Sequence, residues 1–173
     1  MSQVAATDLS RHQMSDSPTA HSFIRKPLDH SLHFAARFGA MYFITLCCRG
    51  KRRNQLCHQQ TARAIFKTVN MYDERGVWYL ELMLLMPDHL HALIGIDGEA
   101  SLSKIIGDFK RATSRFARVQ WQRNLFDHRL RHDESLGEKA EYIRNNPVRA
   151  GLAAHEDDWM FVLDREKLDV AVR

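Results

Sequence analysis

Cysteine is scarce in this chain: three in 173 residues, Cys47, Cys48 and Cys57. None forms a Cys-x-x-Cys pair, and Cys47 and Cys48, neighbours in an apolar run, point to opposite faces if that run is a strand. They read as reduced core or surface thiols of a cytoplasmic protein. No stretch approaches the roughly 18–20 apolar residues of a membrane span, so a membrane partner is not expected. A glycine-rich phosphate loop is also missing, which leaves nucleotide hydrolysis without apparatus and a nucleotide cofactor unexpected. Internal repeats are absent, and Met1 to Arg11 lacks the basic-then-apolar order of a secretory signal. What remains is an ordinary soluble composition, 45% apolar and 27% charged. The length fits one domain with a real core.

Charge is modest in total, +4, but unevenly placed. Between Ser101 and Arg131 stand Lys104, Lys110, Arg111, Arg115, Arg118, Arg123, Arg129 and Arg131, against only Asp108 and Asp127. A second basic cluster is Arg49-Gly-Lys-Arg-Arg53. After Leu152 the balance reverses, with Glu156, Asp157, Asp158, Asp164, Glu166 and Asp169 against Arg165, Lys167 and Arg173. Concentrated positive charge favours a nucleic-acid partner, since phosphate contacts supply sequence-independent affinity; a solvated helix face is the plainer alternative. Lys104, Lys110, Arg111, Arg115 and Arg118, with Arg49, Lys51, Arg52 and Arg53, are the candidate phosphate contacts.

Residues 1 to 22 are polar and aperiodic and read as a disordered or loosely docked leader. A domain over 23–160 and an acidic tail over 161–173 follow. Met41 to Cys48, β-branched and aromatic between Gly39 and Gly50, predicts a strand. Thr61 to Arg75 carries Ala62, Ile65, Phe66, Val69 and Tyr72 at helical spacing and stops at Gly76. Val77 to Met86 predicts a central strand, and Pro87-Asp88 turns the chain into another that ends near Asp97-Gly98. Ser101 or Ser103 caps a helix whose stripe is Leu102, Ile105, Ile106, Phe109 and Phe116, with a basic ridge on another face. Trp121 to His132 predicts a short strand or extended turn. Ser135-Leu-Gly-Glu138 is a capping box, opening a helix that Pro147 should end. The order predicts an α+β fold: an antiparallel β-sheet with helices packed on it, close to the split-βαβ, ferredoxin-like arrangement.

Two short segments carry chemistry. In Met86-Pro-Asp-His-Leu-His-Ala-Leu-Ile94, His89 and His91 share one strand face while Leu90, Ala92, Ile94 and Ile96 share the other. Two imidazoles on neighbouring same-face positions are able to share one divalent ion, or they are the polar half of an amphipathic strand. In the last helix, Tyr142 and Asn146 are one turn apart and neighbours on one face. A helix-end tyrosine packing on a neighbour explains the pair without chemistry. A phenol is also a nucleophile able to form a covalent intermediate, and the Asn146 amide oxygen is a possible third metal donor beside it.

Together these segments resemble a known family. His89-Leu90-His91 is similar to the His-hydrophobic-His motif of the HUH endonucleases. Glu141-Tyr-Ile-Arg-Asn-Asn-Pro-Val-Arg-Ala-Gly-Leu152 resembles the tyrosine helix of the single-tyrosine transposases, in particular the REP-associated tyrosine transposases of bacteria. The likeness extends over Tyr42 to Leu46, Leu84 to Leu93, Leu102 to Lys110 and Trp121 to Arg131, roughly residues 40 to 160. It implies the HUH fold and a metal-dependent nickase and strand transferase of single-stranded DNA. By the resemblance, Tyr142 attacks a DNA phosphate, leaving a 5′-phosphotyrosine and a free 3′-hydroxyl. His89, His91 and Asn146 hold Mg²⁺ or Mn²⁺, the shorter Asn146 matching the REP-associated branch rather than the glutamine common in insertion-sequence relatives. Hairpins of palindromic repeats are the implied partner, the protein acting as a monomer or homodimer in the cytoplasm. The alternative is a hairpin-binding regulator that no longer cuts.

Overall fold

A computed structural model describes residues 39–131 and 134–165 of the chain. The expected leader, residues 1–22, and most of the acidic tail lie outside the described residues. Strand β1 (Ala40–Cys47) leads into helix α1 (Gln59–Glu74), hairpin strands β2 (Tyr79–Leu85) and β3 (His89–Ile96), and helix α2 (Leu102–Ala117). Strand β4 (Phe126–Arg129), helices α3 (Leu136–Arg144) and α4 (Asn146–Arg149) and strand β5 (Val162–Asp164) complete it.

The strands lie in the order β4-β1-β3-β2-β5, with every neighbouring pair antiparallel. Strand β3 lies between β1 and β2, and β1 lies between β3 and β4. This is the split-βαβ plan, with α1 and α2 as its crossovers and β5 added along the edge of β2. The expected α+β architecture is therefore what the chain forms.

Alternation along β3 divides the molecule into two layers. Leu90, Ala92, Ile94 and Ile96 are buried with Ile65 and Val69 of α1 and Ile106 and Phe109 of α2. Leu93, of opposite parity, is buried with Met41, Leu82, Leu84, Met86 and Leu130, and with Ala140 and Ile143 of α3. Both faces are thus covered by helices, α1 and α2 on one and α3 on the other. Each fully buried Leu or Ile contributes roughly 1.5–3 kcal/mol of transfer free energy, which makes this double core the main source of stability.

Element boundaries follow local chemistry. Gly76, at φ 65°, stands just past α1, and its N–H closes on the Asp73 carbonyl. Ser101 caps α2, its hydroxyl accepting from the Lys104 N–H. Ser135 caps α3, accepting from the Glu138 N–H.

Two features depart from the sequence reading. Pro147 does not end the tyrosine helix. That helix already stops at Asn145, and Pro147, which needs no N–H partner in a first turn, opens the short helix α4. The fold also continues past residue 160, since Val162–Asp164 pair with Leu84, Met83 and Leu82 as an edge strand. Trp159 and Phe161 pack against the two cores.

Candidate active site

The cross-strand register assembles the site. Thr45 of β1 lies opposite His91, and Cys47 opposite His89. The histidines therefore project from the sheet face that α3 covers, together with Phe43 and Thr45 of β1. Their rings are 4.8 Å apart, centroid to centroid.

Each imidazole is anchored through one nitrogen. His91 Nδ1 lies 2.9 Å from the Thr45 hydroxyl, and His89 Nδ1 lies 2.8 Å from Asp88 Oδ1. A carboxylate only accepts, so the His89 Nδ1–H is the donor of that bond and Nε2 is left facing away from it. Burial, with the neighbouring His89 adding to it, pushes the His91 imidazole down to about 4, so it is neutral at pH 7. Burial raises the Asp88 carboxyl, but hydrogen bonds from His89 and from the Arg52 N–H outweigh it and hold the group below its usual range. Imidazoles fixed by outer partners, with His91 held neutral, suit the geometry that a divalent ion requires of histidine.

Tyr142 reaches the same face from α3. Neighbouring side chains fix the helix: Ala140 and Ile143 are buried in the core beneath it, and Arg144 reaches Asp164 of β5 with bonds of 2.7 and 3.1 Å. Tyr142 projects toward β1, where its ring meets Phe43 edge-on at 6.3 Å. Phe43 stacks on His91 at 5.5 Å, with the rings 20° apart. One phenylalanine thus touches both the phenol-bearing ring and a histidine of the same chain. Tyr142 is 45% exposed, so its hydroxyl is accessible to a substrate. The Arg149 guanidinium lies 5.0 Å from the Tyr142 ring and places a positive charge beside it.

Asn146, one turn after Tyr142, donates from Nδ2 to the Tyr142 carbonyl at 2.9 Å. A carbonyl accepts only, so this bond fixes the amide orientation and turns Oδ1 away as an acceptor. Among the described residues no group of three or more His, Cys, Asp or Glu is placed to hold a metal ion. The donors that the strand register brings together are the two imidazoles.

The basic residues separate into two groups. The loop Arg49–Arg53 is tied to the site: the Arg52 N–H donates to Asp88 Oδ2 at 2.8 Å, and the Arg49 N–H to the Gln120 carbonyl. Arg49, Lys51, Arg52 and Arg53 are all exposed. The ridge of α2 lies in the helical layer across the sheet from the histidines. Lys104 and Arg111 both pair with Asp108 there. Lys110 donates to the carbonyls of Gln122, Arg123 and Asn124, tying α2 to the segment before β4. Arg115 and Arg118 are exposed at the C-terminal end of α2, near Gln120. An open cavity of about 990 Å³ runs along α1, lined also by Phe116, Met160 and Phe161, and holds none of these site residues.

Phe43, Thr45, Asp88 and Arg149 are additions that the sequence reading missed. Asp88 alone had a signal, since it directly precedes His89 in the turn.

A histidine pair on the central strand of a split-βαβ sheet, faced by a helix-borne tyrosine, defines the class of protein. A family model described as IS200-like transposase matches residues 38–134, more than half the sequence, and the chain belongs to that family of DNA-processing enzymes. The match covers the histidine strand and ends before α3. A REP-associated tyrosine transposase of Escherichia coli is 23% identical over 126 residues, covering 71% of this chain and 75% of that one. An uncharacterised protein of Haemophilus influenzae is 27% identical over 154 residues, covering 67% of this chain and 84% of that one. In fold the chain is similar to a solved REP-associated tyrosine transposase bound to a REP hairpin. The TM-score is 0.63 at 20% identity, over 78% of this chain and 82% of the other. Among the described residues no helix is long and apolar enough to cross a membrane.

Proposed function

We propose that this transposase cuts and transfers single-stranded DNA at palindromic hairpins, using Tyr142 as the nucleophile. The observation that carries the reading is Phe43, which packs on His91 and on Tyr142 at once and so holds nucleophile and histidine pair on one side of the sheet. The hairpin-bound relative of the same fold supports the choice of substrate.

The Tyr142 oxygen, giving up its proton, forms a bond to phosphorus. The bond from phosphorus to the 3′ oxygen of the preceding nucleotide breaks, and that oxygen takes a proton to become a free hydroxyl. The product is a 5′-phosphotyrosine, which a later 3′-hydroxyl is able to attack in reverse, so strand transfer needs no external energy source. His89, His91 and the Asn146 amide oxygen would hold a divalent cation, Mg²⁺ or Mn²⁺, which when bound supplies Lewis-acid polarisation of a phosphoryl oxygen. Thr45 and Asp88 hold the two rings in place. Arg149, beside the Tyr142 ring, offers positive charge to an incoming phosphate. The loop Arg49–Arg53 supplies phosphate contacts beside the cut. The ridge of Lys104, Lys110, Arg111, Arg115 and Arg118 meets only DNA remote from it.

Incubation with hairpin DNA and Mg²⁺ or Mn²⁺, followed by a denaturing gel, tests the reading. A protein–DNA adduct that survives denaturation is the expected result. Hairpin binding without cleavage would mark the chain as a regulator, and cleavage without an adduct would mark a phosphodiesterase that does not use Tyr142.

A further inference from the structure

Phe126 is unexplained by any of this. It lies on the short edge strand β4 directly opposite Thr45, which itself lies opposite His91. Phe126, Thr45 and His91 therefore form one cross-strand row on the site face, spanning two inter-strand spacings, roughly 10 Å. The Phe126 ring meets Phe43 edge-on at 6.4 Å, which continues the aromatic path from Tyr142. Yet it is 57% exposed. A large apolar side chain held open on a sheet has given up the free energy that burial would supply.

We infer that Phe126 is a stacking platform for one unpaired nucleobase next to the phosphate that Tyr142 attacks. The inference rests on the function proposed above. The surroundings select the occupant. Among the described residues, Phe116 and Met160, the more exposed apolar side chains, belong to the cavity along α1, and on the site face Phe126 and Tyr142 are the large exposed rings. That is too little apolar surface to seat a protein partner. It suits a flat base, because sheet-borne aromatics stack bases of any sequence. Arg123 is exposed three residues before it, and the basic loop is tied to Asp88 beside His89, two residues along β3 from the row. Phosphates on either side of the stacked base therefore meet positive charge.

The test uses the full chain and a fluorescent DNA hairpin with single-stranded flanks of mixed sequence. EDTA is present, so that binding is read without cutting. Phe126→Ala should bind roughly 5- to 150-fold more weakly, the range of one lost base stack. Phe126→Leu should fall with it, while Phe126→Trp should keep the affinity and show quenched fluorescence on binding. In a series of hairpins each lacking one flank base, a single position should penalise the parent chain and leave Phe126→Ala untouched. Parent-like affinity of either Phe126→Ala or Phe126→Leu overturns the inference, as does a base-loss pattern identical in parent and Phe126→Ala. If those results come from a chain that still forms its adduct, only the stacking role falls. A chain that binds hairpins but forms no adduct loses the proposed mechanism, while the stacking comparison is still decided. Failure of the parent to bind any hairpin overturns both.

Discussion

Asp88→Asn isolates the support of the histidine pair from the pair itself. In the folded chain Oδ1 of Asp88 holds His89 Nδ1 and Oδ2 holds the Arg52 N–H, both at 2.8 Å. An ionised carboxylate accepts both bonds. Asparagine offers one acceptor oxygen and one amino group, so one of the two N–H donors must face another donor. If the amide oxygen keeps Arg52, His89 loses the anchor that fixes its tautomer and ring plane. If it keeps His89, the basic loop is released from the site. Loss of such an outer partner costs about 10- to 100-fold in metal affinity or activity, equivalent to roughly 1.4–2.8 kcal/mol. The assay is adduct yield on hairpin DNA as Mg²⁺ or Mn²⁺ is titrated, with urea unfolding as a control for the fold. The expected result is a metal midpoint moved up by that factor with near-parental stability, since the Asp88 side chain is only partly buried. A midpoint within twofold of the parent would refute the argument. So would a loss that saturating metal does not restore and that leaves the midpoint where it was.

Three further outcomes follow from other parts of the fold. Replacing Lys51 and Arg53 by glutamine should weaken hairpin binding and flatten its log–log salt dependence by about one unit per lost contact. The same change at Lys104 and Arg111, across the sheet, should do far less, and the opposite ranking would contradict the placement of DNA at the histidine face. Arg144→Leu removes the guanidinium that reaches Asp164, a side chain only 3% exposed, with two bonds. Urea unfolding should show a loss of about 3–5 kcal/mol, largely recovered when Asp164 is also made apolar, and a loss under about 1 kcal/mol would show the pair to be dispensable. His91, held down to about 4 by burial, differs from an unfolded histidine near 6.5, so the unfolded chain binds the extra proton between those values. Metal-free protein should therefore have its full His91 contribution above about pH 6.5 and lose roughly 3 kcal/mol of it as pH falls toward 4. His91→Gln should show a shallower decline, and equal slopes would mean that His91 titrates normally.

Periodicity made much of the architecture legible. Alternation along His89–Ile96 separates Leu90, Ala92 and Ile94 from the histidines, and the structure sends them to opposite faces. Spacing likewise set α1 and α2, and Tyr142 with Asn146 as neighbours one turn apart. What stayed hidden depended on contacts distant in sequence. Thr45 and His91 are 46 positions apart and meet only because β1 pairs with β3 in this register. Phe43 becomes the link between Tyr142 and His91 for the same reason. Strand β4, four residues long with its two leading residues exposed, was legible as a short strand or extended turn within Trp121–His132, but no apolar period fixed its bounds or its partner. The run of charge on α2 was plain, but charge alone does not say which side of a sheet a helix covers. Pro147 was weighed as a helix breaker, while its tolerance in a first turn decided its place in α4.

The central claim is that Tyr142 becomes covalently joined to DNA. Hairpin DNA is incubated with the chain and Mg²⁺ or Mn²⁺, the adduct is digested with nuclease and protease, and its peptides are sequenced by mass spectrometry. The account predicts one modified peptide, carrying a 5′-linked nucleotide on Tyr142, and none from Tyr142→Phe. A nucleotide on any other residue, or cleavage by Tyr142→Phe near the parental rate, would contradict it.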